Sequence, residues 1–299
     1  MGVLDTLLSG QLLFAALVTG SIYALIALGL NLVYGTLRML NVAHGDVVML
    51  GSYAGYGAFA GLGVSPLVAA PVVAVLGAAL GWLVYRVAVR RMLASTAAAS
   101  RLEGNSLLLF FGLSILVQNA AALAFTPNNR GYTYLETVVH LGGVSMTANR
   151  LVALAIAGGA CVVVAVFLAR SLAGLTMRAV IERREAAFIV GVNVERVQAA
   201  SFAVGFGSAA LAGVLLSMLE QFSPFSGFPY TIAAFIVIIL GGLGNVAAGL
   251  GAALLLGVLE TYGVALTSAN LRSVLLYGVF VAALLLFPRG LFAARAART

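Results

Sequence analysis

The feature that most constrains the fold is a series of continuous apolar runs, each close to the length of a helix that spans a bilayer. Of the 299 residues, 63% are hydrophobic and only 8% are charged, whereas soluble domains carry about 25% charged residues. A soluble fold is therefore excluded. Continuous runs of roughly 20 residues favour helices over the shorter alternating strands of a β-barrel. We predict an all-α polytopic membrane protein with a single transmembrane domain over residues 1–299.

The apolar windows predict about eight or nine transmembrane helices. They lie at residues 12–34, 40–62, 66–89, 105–125, 151–169, 199–219, 229–245, 247–268 and 271–288. The window 229–245 is short and closes with Gly241-Gly242-Leu243-Gly244-Asn245. A glycine-rich break at membrane depth must be packed in protein or line a wet cavity. This window therefore predicts a broken or re-entrant helix.

The arginines predict the orientation. All 16 basic residues are Arg, and they lie between the apolar runs. With nine spans, all of them fall on one side except Arg130, Arg150 and Arg272. The arginine-rich side is cytoplasmic by the positive-inside rule, so the N-terminus is external and the C-terminus internal. The net charge of +7 is explained by topology, and no nucleic-acid partner is expected.

One long polar segment, Gly174 to Gln198, interrupts the apolar pattern on the cytoplasmic side. Residues 175–189 suit a helix with one apolar face, Gly191 permits a left-handed cap, and Asn193 can cap a following helix. These residues predict two short helices that meet at Gly191 and project from the membrane. An ordinary solvated loop with incidental charges explains the composition at least as well.

A second polar group, Asn41 to Asp46, lies at the junction of the first two windows. Ionisable residues near spans are costly and usually face a cavity or one another, so His44 and Asp46 could shape the inner mouth or gate of a pathway. Alternatively, Asn41 and His44 cap the second helix and bond the backbone freed near Gly45. Both interpretations stay open. The other histidine, His140, is assigned to the far side, so no metal site is expected.

Further polar residues sit in or near the spans. They are Gln118, Asn119, Glu220, Gln221 and Glu260. Each could contact a zwitterionic solute, although such residues more often satisfy a helix end or a neighbouring helix.

The order of motifs resembles that of the branched-chain amino acid ABC transporter permease family. The polar segment carries Arg178-Ala179, Arg184-Glu185-Ala186-Ala187, Gly191-Val192-Asn193 and Arg196. Further matches are Ala24 to Gly35, Asn41 to Asp46 with Gly51-Ser52-Tyr53, Leu240 to Gly244, and the tail Phe287 to Phe292. The early Asn41 to Asp46 motif and the Glu-Ala-Ala form of the loop resemble the first of that system's two permease subunits.

The resemblance implies a transmembrane permease subunit of an ATP-binding-cassette importer for Leu, Ile and Val in the bacterial inner membrane. The implied contacts with the ATPase are made by Arg178, Arg184, Glu185, Ala186, Ala187, Gly191, Asn193 and Arg196. The implied translocation path or gate comprises Asn41, His44, Gly45, Asp46, Gly241, Gly242 and Gly244. The implied partners are a second, different permease subunit, two cytoplasmic ATPase subunits that bind ATP and Mg, an external solute-binding protein and membrane lipid. The chain itself would hold no cofactor.

Three departures from the family pattern leave the substrate open. No Ile-x-Leu-Pro follows Gly191, Ile232-Ala233-Ala234-Phe235 lacks the Lys of many relatives, and Asn245 to Gly249 lacks their Pro. Urea, short amides and other amino acids are alternatives, as is a stand-alone channel or secondary carrier. A P-loop needs Lys, and this chain has none. It therefore cannot supply its own ATP site and is not expected to be an enzyme.

Overall fold

All nine apolar windows are helical in the computed structural model of the protein, which describes residues 9–94, 102–141, 143–287 and 290–291. This confirms the all-α membrane fold. The first helices are α1 (Gly10–Leu37), α2 (His44–Tyr56), α3 (Pro66–Ala94) and α4 (Leu102–Phe125). They are followed by α5 (Ala148–Arg170), α6 (Leu172–Glu182), α7 (Arg184–Ile189), α8 (Val194–Ser217), α9 (Gly227–Gly241), α10 (Val246–Leu266) and α11 (Arg272–Leu286). Pro288, Arg289 and Phe292 of the predicted tail motif lie outside the described residues.

Seven helical segments of the described chain are long and apolar enough to cross a bilayer. They are α1, α3, α4, α5, α8, α10 and the segment Ala269–Leu286, which contains α11. The two remaining apolar windows form shorter helices, α2 and α9, and α2 continues as one π-helical turn over Gly57–Gly61. Freed backbone was expected near Gly45 as well as at the glycine break near Gly241, and the two short helices lie beside these two positions.

Both short helices begin in the interior of the bundle. Leu40 N donates to Ser106 Oγ near the start of α4, whereas His44 Nε2 lies 3.0 Å from Ile26 O in the middle of α1. Residues 40–44 therefore run from the start of α4 into the interior of the bundle before α2 starts. A Cβ on Gly45 would lie 2.0 Å from Gly227 O, so the N-termini of α2 and α9 touch.

The core is built around α1 and α8. Helix α8 packs against α2 and α3 on one side and α1 on the other, and α1 packs against α10. Glycines make these contacts possible, since a Cβ on Gly213 would lie 2.0 Å from Val48 O. Small residues allow this approach in a bilayer, where helices gain no hydrophobic drive toward one another. Apolar side chains on α4, α5 and α11 point outward, as a lipid-facing surface requires.

The two ends of the bundle differ. At one end a hairpin of β1 (Val138–Leu141) and β2 (Val144–Thr147) packs near the start of α1, and Arg130 forms a β-bridge with Phe222. The hairpin was not expected, because residues 126–150 have no apolar period. The described arginines Arg130, Arg150 and Arg272 lie at this end, and the polar segment with its arginines lies at the other. We call them the outer and inner ends, following the positive-inside rule.

Candidate functional site

The polar segment forms a bent structure at the inner end that we call the elbow, residues 171–193. Ser171 caps α6, with Gly174 N donating to its Oγ at 2.9 Å. Helix α6 ends at Glu182 because Arg183 is extended, with φ −148° and ψ 95°. The continuous helix expected over residues 175–189 is therefore wrong. Arg183 breaks it into α6 and the short α7, and its carbonyl accepts from Ala187 N at 3.0 Å.

The turn after α7 has the predicted geometry. Gly191 has φ +88°, a conformation that side chains disfavour. Asn193 caps the next helix, since its Oδ1 accepts from Arg196 N at 3.0 Å. That helix is the long α8 and not the short one expected. The elbow therefore runs directly into a core helix of the bundle.

The elbow is anchored on one face and apolar on its free face. Met177, Val180 and Ala187 are buried against the bundle. At the tip, Phe188, Ile189 and Val190 are 72%, 81% and 77% exposed. Three consecutive exposed apolar residues beyond the inner end are a candidate contact surface for another protein.

The residues predicted to contact the ATPase are likewise divided between the exposed face and the buried face of the elbow. Arg184, Glu185, Ala186, Gly191, Asn193 and Arg196 are exposed, whereas Ala187 is buried. Arg178 is also exposed, and its Nη2 donates to Ala169 O at 3.1 Å, which ties α6 to the end of α5. Arg184, Glu185, Phe188 and Ile189 line a crevice of about 680 Å³ between α7 and the inner ends of α3 and α8.

Ile181 connects the elbow to the inside of the bundle. A Cβ on Gly35 of α1 would lie 3.1 Å from Ile181 Cγ1. A Cβ on Gly244 would lie 3.0 Å from Ile181 Cγ2. Ile181 therefore touches α1 and the glycine break between α9 and α10 at the same time.

The glycine break packs against protein at Gly241, and its residues Leu243, Gly244 and Asn245 also line a cavity of about 560 Å³ at the inner end. Gly242 and Gly244 have φ +92° and +88°, and Gly241 packs on Gly249 with room for no Cβ. Asn31 of α1 satisfies the freed backbone. Its Oδ1 accepts from Gly244 N at 2.8 Å, and its Nδ2 donates to Asn245 O at 3.0 Å.

The other predicted gate residues, Asn41, His44, Gly45 and Asp46, are buried in the interior. His44 Nε2 donates to Ile26 O, and Asp46 Oδ1 accepts from Gln118 Nε2 at 3.0 Å, so the two ionisable residues do not pair. The interpretation of Asn41 and His44 as caps of α2 is wrong, because α2 has no side-chain N-cap.

Instead, the side chain of Thr231 in α9 forms hydrogen bonds with the backbone at the start of α2. Its Oγ1 accepts from Gly45 N at 2.9 Å and donates to Val42 O at 3.0 Å. Four buried atoms nearby have no partner in the described chain, namely both amide atoms of Asn41, Nδ1 of His44 and Oδ2 of Asp46. Whether these residues act as a gate stays a prediction.

A charged group at the outer end joins four helices, and we call it the outer network. Arg272 Nε lies 2.5 Å from Glu260 Oε1, and its Nη1 lies 3.2 Å from Glu220 Oε2. Tyr23 donates to Glu260 at 2.5 Å, and Tyr230 donates to Glu220 at 3.3 Å. All five residues line a cavity of about 430 Å³.

Sequence reasoning noted Glu220 and Glu260 but missed Tyr23, Tyr230 and Arg272. It also missed Asn31 and Ile181. A lone Asn deep within an apolar window, with its high desolvation cost, was the signal that could have drawn attention to Asn31. Nothing local identifies Ile181, because its role depends on residues far away in the chain.

Comparisons with known proteins place these features in a family context. A family model described as a branched-chain amino acid transport system permease component matches residues 12–284. The chain is 32% identical over 296 residues to the high-affinity branched-chain amino acid transport system permease protein LivH of Escherichia coli, with 94% of each chain covered. No solved structure matches the chain significantly.

Two more distant relatives match over the same extent. One is the high-affinity branched-chain amino acid transport system permease protein BraD of Pseudomonas aeruginosa, at 29% identity over 299 residues and 94% of each chain. The other is a probable branched-chain amino acid transport permease protein LivH of Methanocaldococcus jannaschii, at 25% identity over 296 residues, covering 94% of this chain and 91% of the relative.

Proposed function

Because the chain belongs to the family of branched-chain amino acid transport permease components, we propose that it is an importer subunit that carries Leu, Ile and Val across the inner membrane. It is a multi-pass protein and works with other components of an ATP-binding-cassette system. We further propose that its partners are a second permease subunit, two ATPase subunits and an external solute-binding protein.

The observation that carries the proposal is the elbow. Its tip presents Phe188, Ile189 and Val190 to the aqueous side, where an unpartnered apolar surface is unfavourable. A groove on an ATPase subunit would cover this tip, and Glu185 in the adjoining crevice would add a charged contact. ATP and Mg would then be held entirely by the ATPase subunits.

The elbow is built to transmit movement. Ala187 and the apolar face of α6 hold it against the bundle, while Gly191 and the Asn193 cap fix its junction with α8. When two ATPase subunits close on ATP, each elbow would shift as a unit. The shift would reach α8 directly, and it would reach α1 and the glycine break through Ile181.

Transport by reconstituted vesicles tests the proposal. The complete system should take up leucine only when ATP is supplied on the ATPase side, and uptake should stop when the ATPase subunits are omitted. The chain is instead a secondary carrier if vesicles that contain it alone accumulate leucine when an ion gradient is imposed and no nucleotide is present.

Elbow variants test the contact itself. Glu185→Arg combined with Gly191→Pro should abolish ATP-dependent uptake and co-purification of the ATPase, because one change reverses a charge and the other forbids φ +88°. Membrane insertion should be normal. Glu136→Arg, an exposed change in the outer loop, is the matched control and should leave uptake unchanged. Full transport by the double variant would rule out the elbow as the ATPase contact.

A further inference from the structure

The outer cavity is the 430 Å³ space that the outer network lines, and its size is that of a small-molecule site. Ligand pockets usually measure about 300–1,000 Å³, with apolar walls and a few placed polar groups. The apolar walls come from α1, α8 and α10, and their residues include Val18, Ile22, Leu216, Leu219 and Val264.

The charges in the cavity are of both signs. Glu220 and Glu260 supply two carboxylates, and Arg150 and Arg272 supply two guanidinium groups. A carboxylate can bind the α-ammonium group of an amino acid, and a guanidinium group can bind its α-carboxylate.

The network has a fixed half and a looser half. Glu260 is 5% exposed and is held by Tyr23 and Arg272 at 2.5 Å each. Glu220 and Arg272 have side chains 43% and 41% exposed, and their bonds are longer, at 3.2 and 3.3 Å. The looser pair faces the cavity, so a ligand can exchange with it while the Tyr23–Glu260 half keeps Arg272 in place.

The same residues also border a second space. A cavity of about 220 Å³ is lined by Tyr23, Glu220, Tyr230 and Arg272 from its other side, next to the first turns of α9 and α11. The Glu220–Arg272 pair therefore stands in a shared wall.

We propose that the outer cavity is a binding site for a zwitterionic α-amino acid with an aliphatic side chain, with its ammonium at Glu220, its carboxylate at Arg150 and Arg272, and its side chain on the apolar wall. The proposal rests on the proposed function and assigns a contact of the substrate with this chain on the outer side. Binding there replaces the Glu220–Arg272 pair with two ligand bonds.

Protection of an introduced cysteine measures occupancy of the cavity directly. The chain has one cysteine, Cys161, which is buried, so in a Cys161→Ala background the introduced cysteine is the only thiol of this chain. Thr261→Cys places a thiol in the cavity wall, and Ala265→Cys provides a second position on the same wall. The measurement is the rate at which a charged methanethiosulfonate modifies the introduced cysteine of this chain, in vesicles that contain the complete transporter. Thr133→Cys, exposed in the outer loop, is the control.

Leucine should slow modification of the cavity cysteines and leave Thr133→Cys unaffected. Analogues that lack the ammonium group (4-methylpentanoate) or the carboxylate (3-methylbutylamine) should not protect. Glu220→Gln should raise the leucine concentration needed for protection about tenfold, the equivalent of one charge-assisted hydrogen bond.

Three results would overturn the site. The first is an equal rate of cysteine modification with and without leucine. The second is equal protection by leucine, 4-methylpentanoate and 3-methylbutylamine. The third is a modification rate that depends on the phospholipid headgroup of the vesicle and not on leucine. ATP-dependent uptake measured in the same vesicles separates the two proposals. If uptake persists without protection, the site fails and the proposed function stands.

Discussion

At the scale of single residues, one buried amide holds together the irregular part of the bundle. Asn31 is 1% exposed and bonds the backbone at both Gly244 and Asn245. Without it, a partly buried N–H and a partly buried carbonyl would lose their protein partners, and a fully buried group without a partner costs about 1–3 kcal/mol. The glycine break is therefore stabilised from a helix more than two hundred residues earlier in the chain.

Replacing Asn31 tests this role. Asn31→Leu should lower the stability by about 1–3 kcal/mol, because two partly buried backbone groups lose their protein partners, and it should lower the unfolding temperature in detergent. Asn119→Leu is the control, since Asn119 lies exposed on α4 and bonds only its own helix at Ile115 O. An unfolding temperature that falls equally in both variants would contradict the role given to Asn31.

Asp46 offers a second test at this scale. Its Oδ1 is bound by Gln118, and its other oxygen lies buried without a partner, beside the touching starts of α2 and α9. We expect Asp46→Ala to change the rate of leucine uptake while co-purification of the ATPase stays normal, because the residue is far from the elbow. Unchanged uptake would assign Asp46 a purely structural role.

At the scale of elements, close backbone contact fixes how α8 sits in the bundle. Gly213 lies against Val48 and Ser52 of α2, and a Cβ there would fall 2.0 Å from Val48 O. Gly112 on α4 has open space around it. The two glycines thus have the same helical setting and opposite surroundings.

Gly213→Ala should therefore separate α2 from α8 and destabilise the protein by about 1–3 kcal/mol, the usual cost of overpacking. Gly112→Ala should be neutral or stabilise by up to about 1 kcal/mol through helix propensity. Thermal unfolding of the purified protein distinguishes the two. Equal unfolding temperatures would show that α8 can shift to accept the methyl group.

The elements themselves were largely predictable, and their contacts were not. Apolar length located all nine helical windows, and the local chemistry of Gly191 and Asn193 predicted the turn before α8. The break at Arg183 was missed because Arg is a good helix former and the extended conformation is imposed by how the elbow packs. The inward start of α2 depends on Ile26 and Thr231, which lie in other helices. The outer network likewise unites residues from four parts of the chain.

At the scale of the whole molecule, the elbow and the outer network lie at opposite ends of the same helices. Helix α8 joins them, since it begins at the elbow and ends just before Glu220. Helices α1 and α10 also run from the region of Ile181 to Tyr23 and Glu260. These packed helices are the route by which the proposed ATPase-driven shift of the elbow would reach the outer end, and coupling along it requires a direct test.

The most direct test of this route is the ratio of leucine molecules taken up to ATP molecules hydrolysed, measured in vesicles for Ile181→Ala. Because this change removes the contacts of the elbow with Gly35 and Gly244 but leaves its exposed tip intact, ATPase assembly and hydrolysis should persist. The ratio should fall about tenfold, which corresponds to about 1.4 kcal/mol of lost coupling. Leu175→Ala, on the exposed face of α6, should keep the normal ratio. An unchanged ratio in Ile181→Ala would contradict transmission through the elbow by this contact.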